Sequence, residues 1–311
     1  MRISSSMMTR QAMENIEKSY SKVANTSNQV ATGKRYASAS ESPVDFHMVN
    51  SLKLEQGEIT KYFSNIENAR VSVSDTEIAL KDINESFQRI KELSSNAMNA
   101  SVSLSDREAI CIEIEQCKQQ IISNLNSQSA GRFLFGGFNS KFPPIKENAG
   151  LLEYNGTVIS TMTDLEKDSF ISEKVVVNVS KGIKVDLKIS ALEIIGTGDN
   201  NLLNNIDKII SELRNEPLSS DELKNQVDIL DDHFDNVLLQ LTKIGATTNR
   251  LDAIVSQLTQ KQTAISEKIS GIEDIDIEEA ILNYKLAEQA YNSTLSISGK
   301  SIQLSLMDYL R

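Results

Sequence analysis

The chain has 311 residues, of which 40% are hydrophobic, 5% are aromatic and none is tryptophan. Its 13 glycines and 4 prolines are few for this length, which favours long helices over a sandwich or a barrel, and the length predicts two or three domains. The formal net charge of −11 argues against a nucleic-acid partner. With two histidines and two cysteines, we expect a protein that is not an enzyme and has neither cofactor nor metal site.

The first segment predicts an amphipathic helix with a thin apolar stripe. Its apolar residues at helical spacing are Met13, Ile16, Tyr20, Val23 and Val30. Such a helix buries too little to remain ordered alone in water, so we expect it to need a partner. The segment has no apolar core of a cleaved secretory signal, and residues 1–35 hold six bases against two acids.

Two long stretches predict helices that bury a narrow stripe. From Ile59 to Ile90 the apolar positions alternate in steps of three and four, and the same pattern runs from Leu223 to Ile272. A further helix should begin at a capping box, Ser105-Asp-Arg-Glu108. We expect these helices to form an intramolecular antiparallel bundle, with an intermolecular coiled coil as the alternative.

The middle of the chain has a different composition, since eight of the 13 glycines lie between Gly131 and Gly198. Short β-type runs are predicted at 132–135, 151–154, 158–162, 174–178 and 183–189. Asn155-Gly156 predicts a two-residue hairpin turn, because both residues tolerate positive φ. A short helix should follow at 201–215.

The last segment again predicts an amphipathic helix with a thin stripe. The stripe contains Ile281, Tyr284, Tyr291, Leu295, Ile302, Leu306 and Tyr309. The predicted fold is mainly α with a β-rich inserted domain, in which N- and C-terminal segments build a long antiparallel helical bundle with flexible terminal helices. The predicted division is an N-terminal assembly helix (1–40), two halves of a bundle (41–130 and 201–276), a β-rich insert (131–200) and a C-terminal assembly helix (277–311).

Several short motifs resemble one protein family. They are Met1-Arg-Ile-Ser4, Ala31-Thr-Gly-Lys-Arg35 with Ser40-Glu-Ser-Pro43, Gly131-Arg-Phe-Leu-Phe-Gly-Gly137, Gln289-Ala-Tyr291 and Leu304-Ser-Leu-Met-Asp-Tyr-Leu310. On these residues the chain is similar to the bacterial flagellar hook-associated protein 3 family, the hook–filament junction branch of the flagellin superfamily.

The resemblance implies a structural adaptor that joins hook to filament. It implies terminal helices that pair as the inner layer of an axial assembly, with the β-rich insert facing outward. The implied partners are copies of the same chain in a ring layer, neighbouring hook-associated protein and flagellin subunits, and an export chaperone at the C-terminal region. It further implies an extracellular location in the flagellum, reached by type III export without a cleaved signal peptide, and the sequence itself shows no apolar run long enough to span a membrane.

Two other functions remain open at this stage. One is a flagellin-like filament subunit, and the other is a secreted effector or adhesin that binds a ligand through the β-rich insert.

One structural expectation concerns the two terminal helices and applies to the junction adaptor and to the filament subunit alike. If 1–33 and 277–311 pair antiparallel, Lys34 and Arg35 should approach the acids of Glu273–Glu279, and these charges should steer closure of the terminal pair.

Overall fold

A computed structural model of the chain describes residues 5–98, 103–137, 140–148, 151–172, 175–216 and 219–309, and excludes the side chains of 5, 6, 164 and 301–309. Over this part the helices are α1 (Ser5–Thr32), α2 (Pro43–Ala97), α3 (Leu104–Leu125), α4 (Asp164–Ser172), α5 (Ala191–Ile195), α6 (Leu202–Arg214), α7 (Ser220–Glu273) and α8 (Ile277–Tyr309). The strands are β1 (Gln128–Ser129), β2 (Arg132–Phe133), β3 (Ile145–Asn148), β4 (Leu151–Tyr154), β5 (Thr157–Val158), β6 (Val176–Ser180) and β7 (Ile183–Asp186). The predicted class, mainly α with a β-rich middle region, is confirmed.

The chain divides into two compact units. Unit 1 comprises residues 1–59 and 259–311, and unit 2 comprises residues 60–258. The boundary falls inside α2 and inside α7, so each of these helices supplies residues to both units.

The apolar stripes predicted from the sequence are the buried faces of α2 and α7. In α2 the stripe is buried from Ile59 to Ile90, with Tyr62 half-buried. In α7 a buried apolar residue recurs at every seventh position, at Leu223, Leu230, Val237, Ile244, Leu251, Leu258 and Ile265. The helix is continuous through Gly245, because one glycine costs only about 1 kcal/mol in a long, packed helix.

Within unit 2 the two long helices run antiparallel. Arg70 pairs with Asp252 at 3.0 Å, and Lys91 pairs with Asp231 at 2.7 Å, so residue numbers rise along α2 as they fall along α7. Between these ion pairs the Phe87 ring packs edge-on against Phe234, with 6.4 Å between centroids. These contacts confirm an intramolecular antiparallel pairing.

A second helix pair, α3 and α6, adds to unit 2. Asn201 caps α6, since its side chain accepts a hydrogen bond from the Asn204 amide at 3.0 Å. Lys118 of α3 reaches Asp207 of α6 at 2.6 Å. Cys111 is buried and Cys117 is half-buried, and both are free thiols that pack as small apolar residues.

The β-rich region consists of small antiparallel sheets: β1 with β2, β3 with β4 and β5, and β6 with β7. The predicted Asn155-Gly156 turn joins β4 to β5, and both residues have positive φ, at 49° and 90°. Gly182, with φ of 77°, lies in the turn between β6 and β7.

Local predictions failed where sequence signals were weak or competing. The helix α3 begins one residue before the predicted capping box. Its cap is Ser103 rather than Ser105, and the Ser103 hydroxyl accepts a hydrogen bond from the Asp106 amide. The predicted strand 158–162 ends at Val158, and a 3₁₀ turn follows at Ile159–Thr161, where the buried Ile159 also accepts a hydrogen bond from the Gly198 amide.

Candidate functional site

The first element of the candidate assembly site is α1, a helix with one half-buried stripe. The stripe advances in steps of three and four and consists of Thr9, Ala12, Ile16, Ser19, Val23, Thr26 and Val30. The helix ends where Gly33 adopts φ of 70° and its amide bonds to the Gln29 carbonyl at 2.8 Å, a left-handed cap that favours glycine. Most of this stripe consists of small or β-branched residues, so α1 has little apolar area of its own to bury.

The second element is α8, which packs against α1. The Asp276 carboxylate caps α8 by accepting the Glu278 and Glu279 amides, at 2.9 and 3.3 Å. Its buried or half-buried stripe also advances in steps of three and four and consists of Ala280, Tyr284, Ala287, Tyr291, Thr294 and Ser298. Both helices therefore present the seven-residue repeat of a coiled-coil seam, which we call the terminal seam.

The terminal seam is antiparallel. Ser19 and Thr294 share a hydroxyl hydrogen bond of 3.3 Å. The Tyr20 and Tyr291 rings pack at 5.9 Å between centroids. Further along, Lys34 forms an antiparallel bridge with Asp274, so residue numbers rise along α1 as they fall towards the start of α8. This geometry is the one assumed in the prediction about Lys34.

Large apolar side chains of both helices lie outside the terminal seam. Met13 on α1 and Ile297 on α8 are each 66% exposed. The other exposed members are Met7, Met8, Tyr20, Ile277, Ile281, Leu282, Leu286 and Leu295. Because small residues occupy much of the seam while many larger apolar residues face away from it, the pair leaves a substantial apolar surface uncovered.

A cluster of ion pairs, which we call the charged stitch, holds the terminal pair together at the end where α1 stops and α8 begins. The Lys34 ammonium lies 2.7 Å from Glu273 Oε1, and the Lys53 ammonium lies 2.8 Å from Oε2. The main chain reinforces this contact, since the Arg35 amide donates to the Glu273 carbonyl at 2.7 Å and the Ile275 amide donates to the Gly33 carbonyl at 3.1 Å. One carboxylate thereby joins the loop after α1, the start of α2 and the end of α7.

The electrostatics of the stitch favour the charged forms. Hydrogen bonds from Lys34 and Lys53 hold the pKa of the Glu273 carboxyl below its ordinary value, against a smaller opposing effect of burial. The same contact raises the pKa of Lys34. Beside it, burial raises the pKa of Tyr36, whose ring packs edge-on against Phe46 at 6.5 Å.

The expected approach of Lys34 to the acidic run is confirmed, and the acid that it meets is the first of the run. The partner is Glu273, the last residue of α7, and the adjacent Arg35 contacts it through its main-chain amide. Glu278 and Glu279 instead occupy the first turn of α8, where carboxylates suit the positive end of the helix dipole, and neither forms an ion pair among the described residues.

The structure separates the sequence-predicted assembly residues into two groups. Those in the terminal seam are Ile16, Val23, Val30, Tyr284 and Tyr291, and those exposed beside it are Met13, Tyr20, Ile281 and Leu295. The side chains of Ile302, Leu306 and Tyr309 lie outside the described residues. Sequence reasoning missed the small residues of the seam and also Lys53. The only available signal for the small residues was the alternation of steps of three and four through alanine, serine and threonine.

Other kinds of site find little support in the described part of the chain. Over these residues no group of three or more His, Cys, Asp or Glu side chains is placed to hold a metal ion. No helix there has the length and apolar character needed to cross a membrane.

Comparisons with known proteins cover both helical ends and nearly the full length. The bacterial flagellin N-terminal helical region matches residues 3–140, and the bacterial flagellin C-terminal helical region matches residues 227–310, together more than two thirds of the chain. Flagellar hook-associated protein 3 of Escherichia coli (strain K12) is 23% identical over 323 aligned residues, covering 98% of this chain and 100% of the relative. The protein of the same name from Salmonella typhimurium is 22% identical, covering 97% and 98%.

Solved structures agree with these matches. A putative flagellar hook-associated protein from Vibrio parahaemolyticus is 26% identical with a TM-score of 0.66, covering 75% of this chain and 100% of that one. Flagellar hook associated protein-3 from Legionella pneumophila shares the fold at 13% identity, with a TM-score of 0.61 and coverage of 72% and 98%. The chain therefore belongs to the flagellin superfamily, in the family of flagellar hook-associated protein 3.

Proposed function

We propose that this chain is a structural component of the bacterial flagellum, an adaptor at the junction of hook and filament, and that α1 and α8 carry its assembly. The observation on which this rests is the apolar surface that the terminal seam leaves uncovered. Burying such surface against neighbouring subunits would stabilise the assembly by about 25 cal/mol for each Å² removed from water. A thin seam with large apolar residues outside it is suited to association with further helices.

The proposed partners follow from this surface and from the family. Copies of the chain associate in a ring layer, which contacts a neighbouring hook-associated protein on one side and flagellin on the other. An export chaperone binds the C-terminal region before assembly and covers the apolar residues of α8. The protein acts outside the cell, which it leaves without a cleaved signal peptide, and it catalyses no reaction.

The proposed division of labour keeps the segments predicted from the sequence. Residues 1–40 and 277–311 are the assembly segments, 41–130 and 201–276 are the two halves of the bundle, and 131–200 form the β-rich insert. Within the assembly segments, Met13, Tyr20, Ile281 and Leu295 contact neighbouring subunits, whereas the seam residues hold α1 to α8.

A charge placed on the exposed apolar surface tests the proposal. We expect Leu295→Glu to block incorporation into the hook-proximal flagellum and to abolish swimming, because a carboxylate would have to be buried at a subunit contact. Asn292→Glu is the matched control, since it adds the same charge on the same exposed helix without removing an apolar side chain. Secreted protein bound to isolated hooks is the quantity to measure, and equal incorporation of the two variants would contradict the proposal.

A filament subunit is the second candidate, because both matching family descriptions name flagellin. The two functions differ in self-association. A filament subunit elongates into long fibres when purified and seeded, whereas a junction adaptor stops after a single layer. Sedimentation of the full chain with and without hook fragments distinguishes them: fibres that grow with protein concentration would favour the filament subunit.

A further inference from the structure

Two side chains of α7 hold the segment that joins α5 to α6, residues 196–201, which we call the α5–α6 loop. The Nε2 atom of His233 lies 2.8 Å from the Asn200 carbonyl, and because a carbonyl only accepts, this nitrogen carries a hydrogen and donates it. Further along the same helix, the Asn236 amide group donates to the Glu193 carbonyl at 2.7 Å. The main chain is therefore held to α7 just before the loop and again near its end.

The imidazole of His233 packs closely against the start of the loop. Gly196 has φ of 73°, and a methyl group on its α-carbon would lie 3.4 Å from the ring atom Cε1. The side chain is half-buried, so only part of the ring reaches water. This position suits the neutral ring, because burial disfavours a charged imidazole.

The charged groups around the imidazole leave a positive ring without a close counter-charge. Asp232 is its neighbour on α7, Glu193 lies on α5 and Asp199 belongs to the loop, but among the described residues no carboxylate forms an ion pair with His233. The Lys208 ammonium of α6 donates to the Asp199 carbonyl at 3.2 Å. A protonated imidazole would therefore share the loop with another positive charge.

The pKa of His233 follows from these contacts. Burial lowers the pKa of the imidazole below its ordinary value of 6.5, against smaller opposing effects of the hydrogen bond to Asn200 and of the Asp232 charge. The attached loop therefore binds the proton less readily than a released loop does. Attachment is complete above pH 6.5, and it weakens as pH falls from there towards the lower pKa of the attached state.

We propose that His233 is a pH-sensitive latch on the α5–α6 loop. In mildly acidic surroundings the imidazole takes up a proton, turns into water and leaves the Asn200 carbonyl, and the end of the loop separates from α7. Histidine suits this role because its ordinary charge change falls between about pH 5 and 8. The contact made by Asn236 involves no titratable group and remains, so the change is confined to the loop.

Release of the loop reaches the β-rich region. The Gly198 amide donates to the carbonyl of the buried Ile159 at 3.2 Å, and this bond breaks when the loop moves. The latch thus loosens one attachment between the bundle and the insert. It lies in unit 2 and is independent of the junction function.

Amide hydrogen exchange of the full chain tests the latch. The amides of Gly198 and Asn201 report opening, because their hydrogen bonds depend on the position of the loop. Protection is compared at about pH 7.5 and about pH 5.5, after correction for the intrinsic pH dependence of exchange. We expect it to fall by about threefold to tenfold. About tenfold is the ceiling, because a released imidazole of pKa about 6.5 is protonated in about tenfold excess at the lower pH.

Variants separate titration from attachment. His233→Gln can still donate to a carbonyl but takes up no proton, so its protection should be equal at the two pH values. Asn236→Ala is the structural comparison, and it should lower protection by a similar factor at both pH values and keep the pH dependence. His47→Gln removes the other histidine of the chain, which is exposed on α2, and should leave the result unchanged.

A proton NMR titration of the two imidazoles identifies the group that titrates, and the spectrum of His47→Gln assigns the signal of His233. We expect a midpoint for His233 below about 6.5. Because this titration uses the native chain, it decides the proposal even if His233→Gln does not fold. A midpoint at or above that value, pH-independent protection in the native chain, or pH dependence that survives in His233→Gln would each overturn the proposal.

Discussion

Replacing the single carboxylate of the charged stitch tests how the end of the terminal pair is held. Glu273→Gln keeps the size of the side chain but removes the charge that faces Lys34 and Lys53. The amide oxygen can still accept hydrogen bonds from the lysines, but a neutral amide cannot neutralise two ammonium groups. We therefore expect the backbone bridge between Lys34 and Asp274 to open more often in the variant.

The loss of local stability expected for Glu273→Gln depends on how exposed Glu273 and its two lysine partners are. The Glu273 side chain is 10% exposed, whereas each lysine is nearly half exposed and can turn into water when its partner is lost. A hydrogen bond to a charged group contributes about 1.5–3 kcal/mol when buried, and an exposed ion pair contributes about 0–1 kcal/mol. Two half-exposed contacts to one nearly buried carboxylate should together contribute about 1–2 kcal/mol to local stability.

Amide hydrogen exchange gives a local measure of this loss. The amides of Arg35 and Ile275 donate across the bridge, so their protection reports its opening, whereas a global unfolding curve mixes the two compact units. Glu267→Gln, an exposed carboxylate of α7 without an ion-pair partner among the described residues, is the matched control and should leave protection unchanged.

A mutant cycle tests whether the loss of amide protection comes from the ion pairs of Glu273. In a background that carries Lys34→Met and Lys53→Met, the further change Glu273→Gln should have an effect close to zero, because the interaction is already absent. If Glu273→Gln lowers protection by the same amount in this background and in the native chain, the ion pairs are not what holds the bridge and the reasoning is refuted.

Three further predictions concern pH, core packing and a turn. Lys34 and Lys53 lower the folded-state pKa of Glu273, so the contribution of Glu273 to local stability is fully present above the ordinary glutamate pKa of about 4.3 and is lost as pH falls through the lower folded value. Protection of the Arg35 amide should therefore decline only in that acidic range. A decline beginning near neutrality would contradict this. Phe87→Ala should destabilise unit 2 by about 3–5 kcal/mol, measured by the exchange of its most protected amides, since the ring is 1% exposed and packs on Phe234. A loss below about 1 kcal/mol would contradict this. Gly156→Ala should cost about 1 kcal/mol or more from its φ of 90° alone, because nothing lies within 4 Å of the added methyl group, and an unchanged thermal midpoint would argue against a strained turn.

The long helices and the hairpin turn could be predicted from the sequence because their signals are local and repeated. The stripe from Ile59 to Ile90 is buried almost throughout, and the turn at Asn155 and Gly156 has the positive φ values that those residues favour. The strand β3 could not be predicted in this way. Its sequence, Ile-Lys-Glu-Asn, has no apolar alternation and is a strand only because β4 lies beside it.

The candidate site could be predicted only in part. The sequence indicated two thin helices and the meeting of Lys34 with an acidic run, because both follow from periodicity and antiparallel order. It could not indicate that the seam would form through Ala280 and Ala287 while Ile281 and Leu295 remain outside. Which face of a weakly amphipathic helix packs depends on how closely the partner backbone can approach, and small residues allow the closer approach.

The unbroken seven-residue spacing of α2 and α7 fixes more than which side chains are buried. A straight α-helix drifts by about 20° per heptad relative to this repeat, so the buried stripe of each helix winds slowly around that helix in the left-handed sense. Inserting or deleting one residue in either helix would rotate every later side chain by about 100° and turn the stripe out of the buried face. The length of these helices is therefore set residue by residue, and we expect natural insertions to be tolerated in the β-rich turns but not along the two long helices.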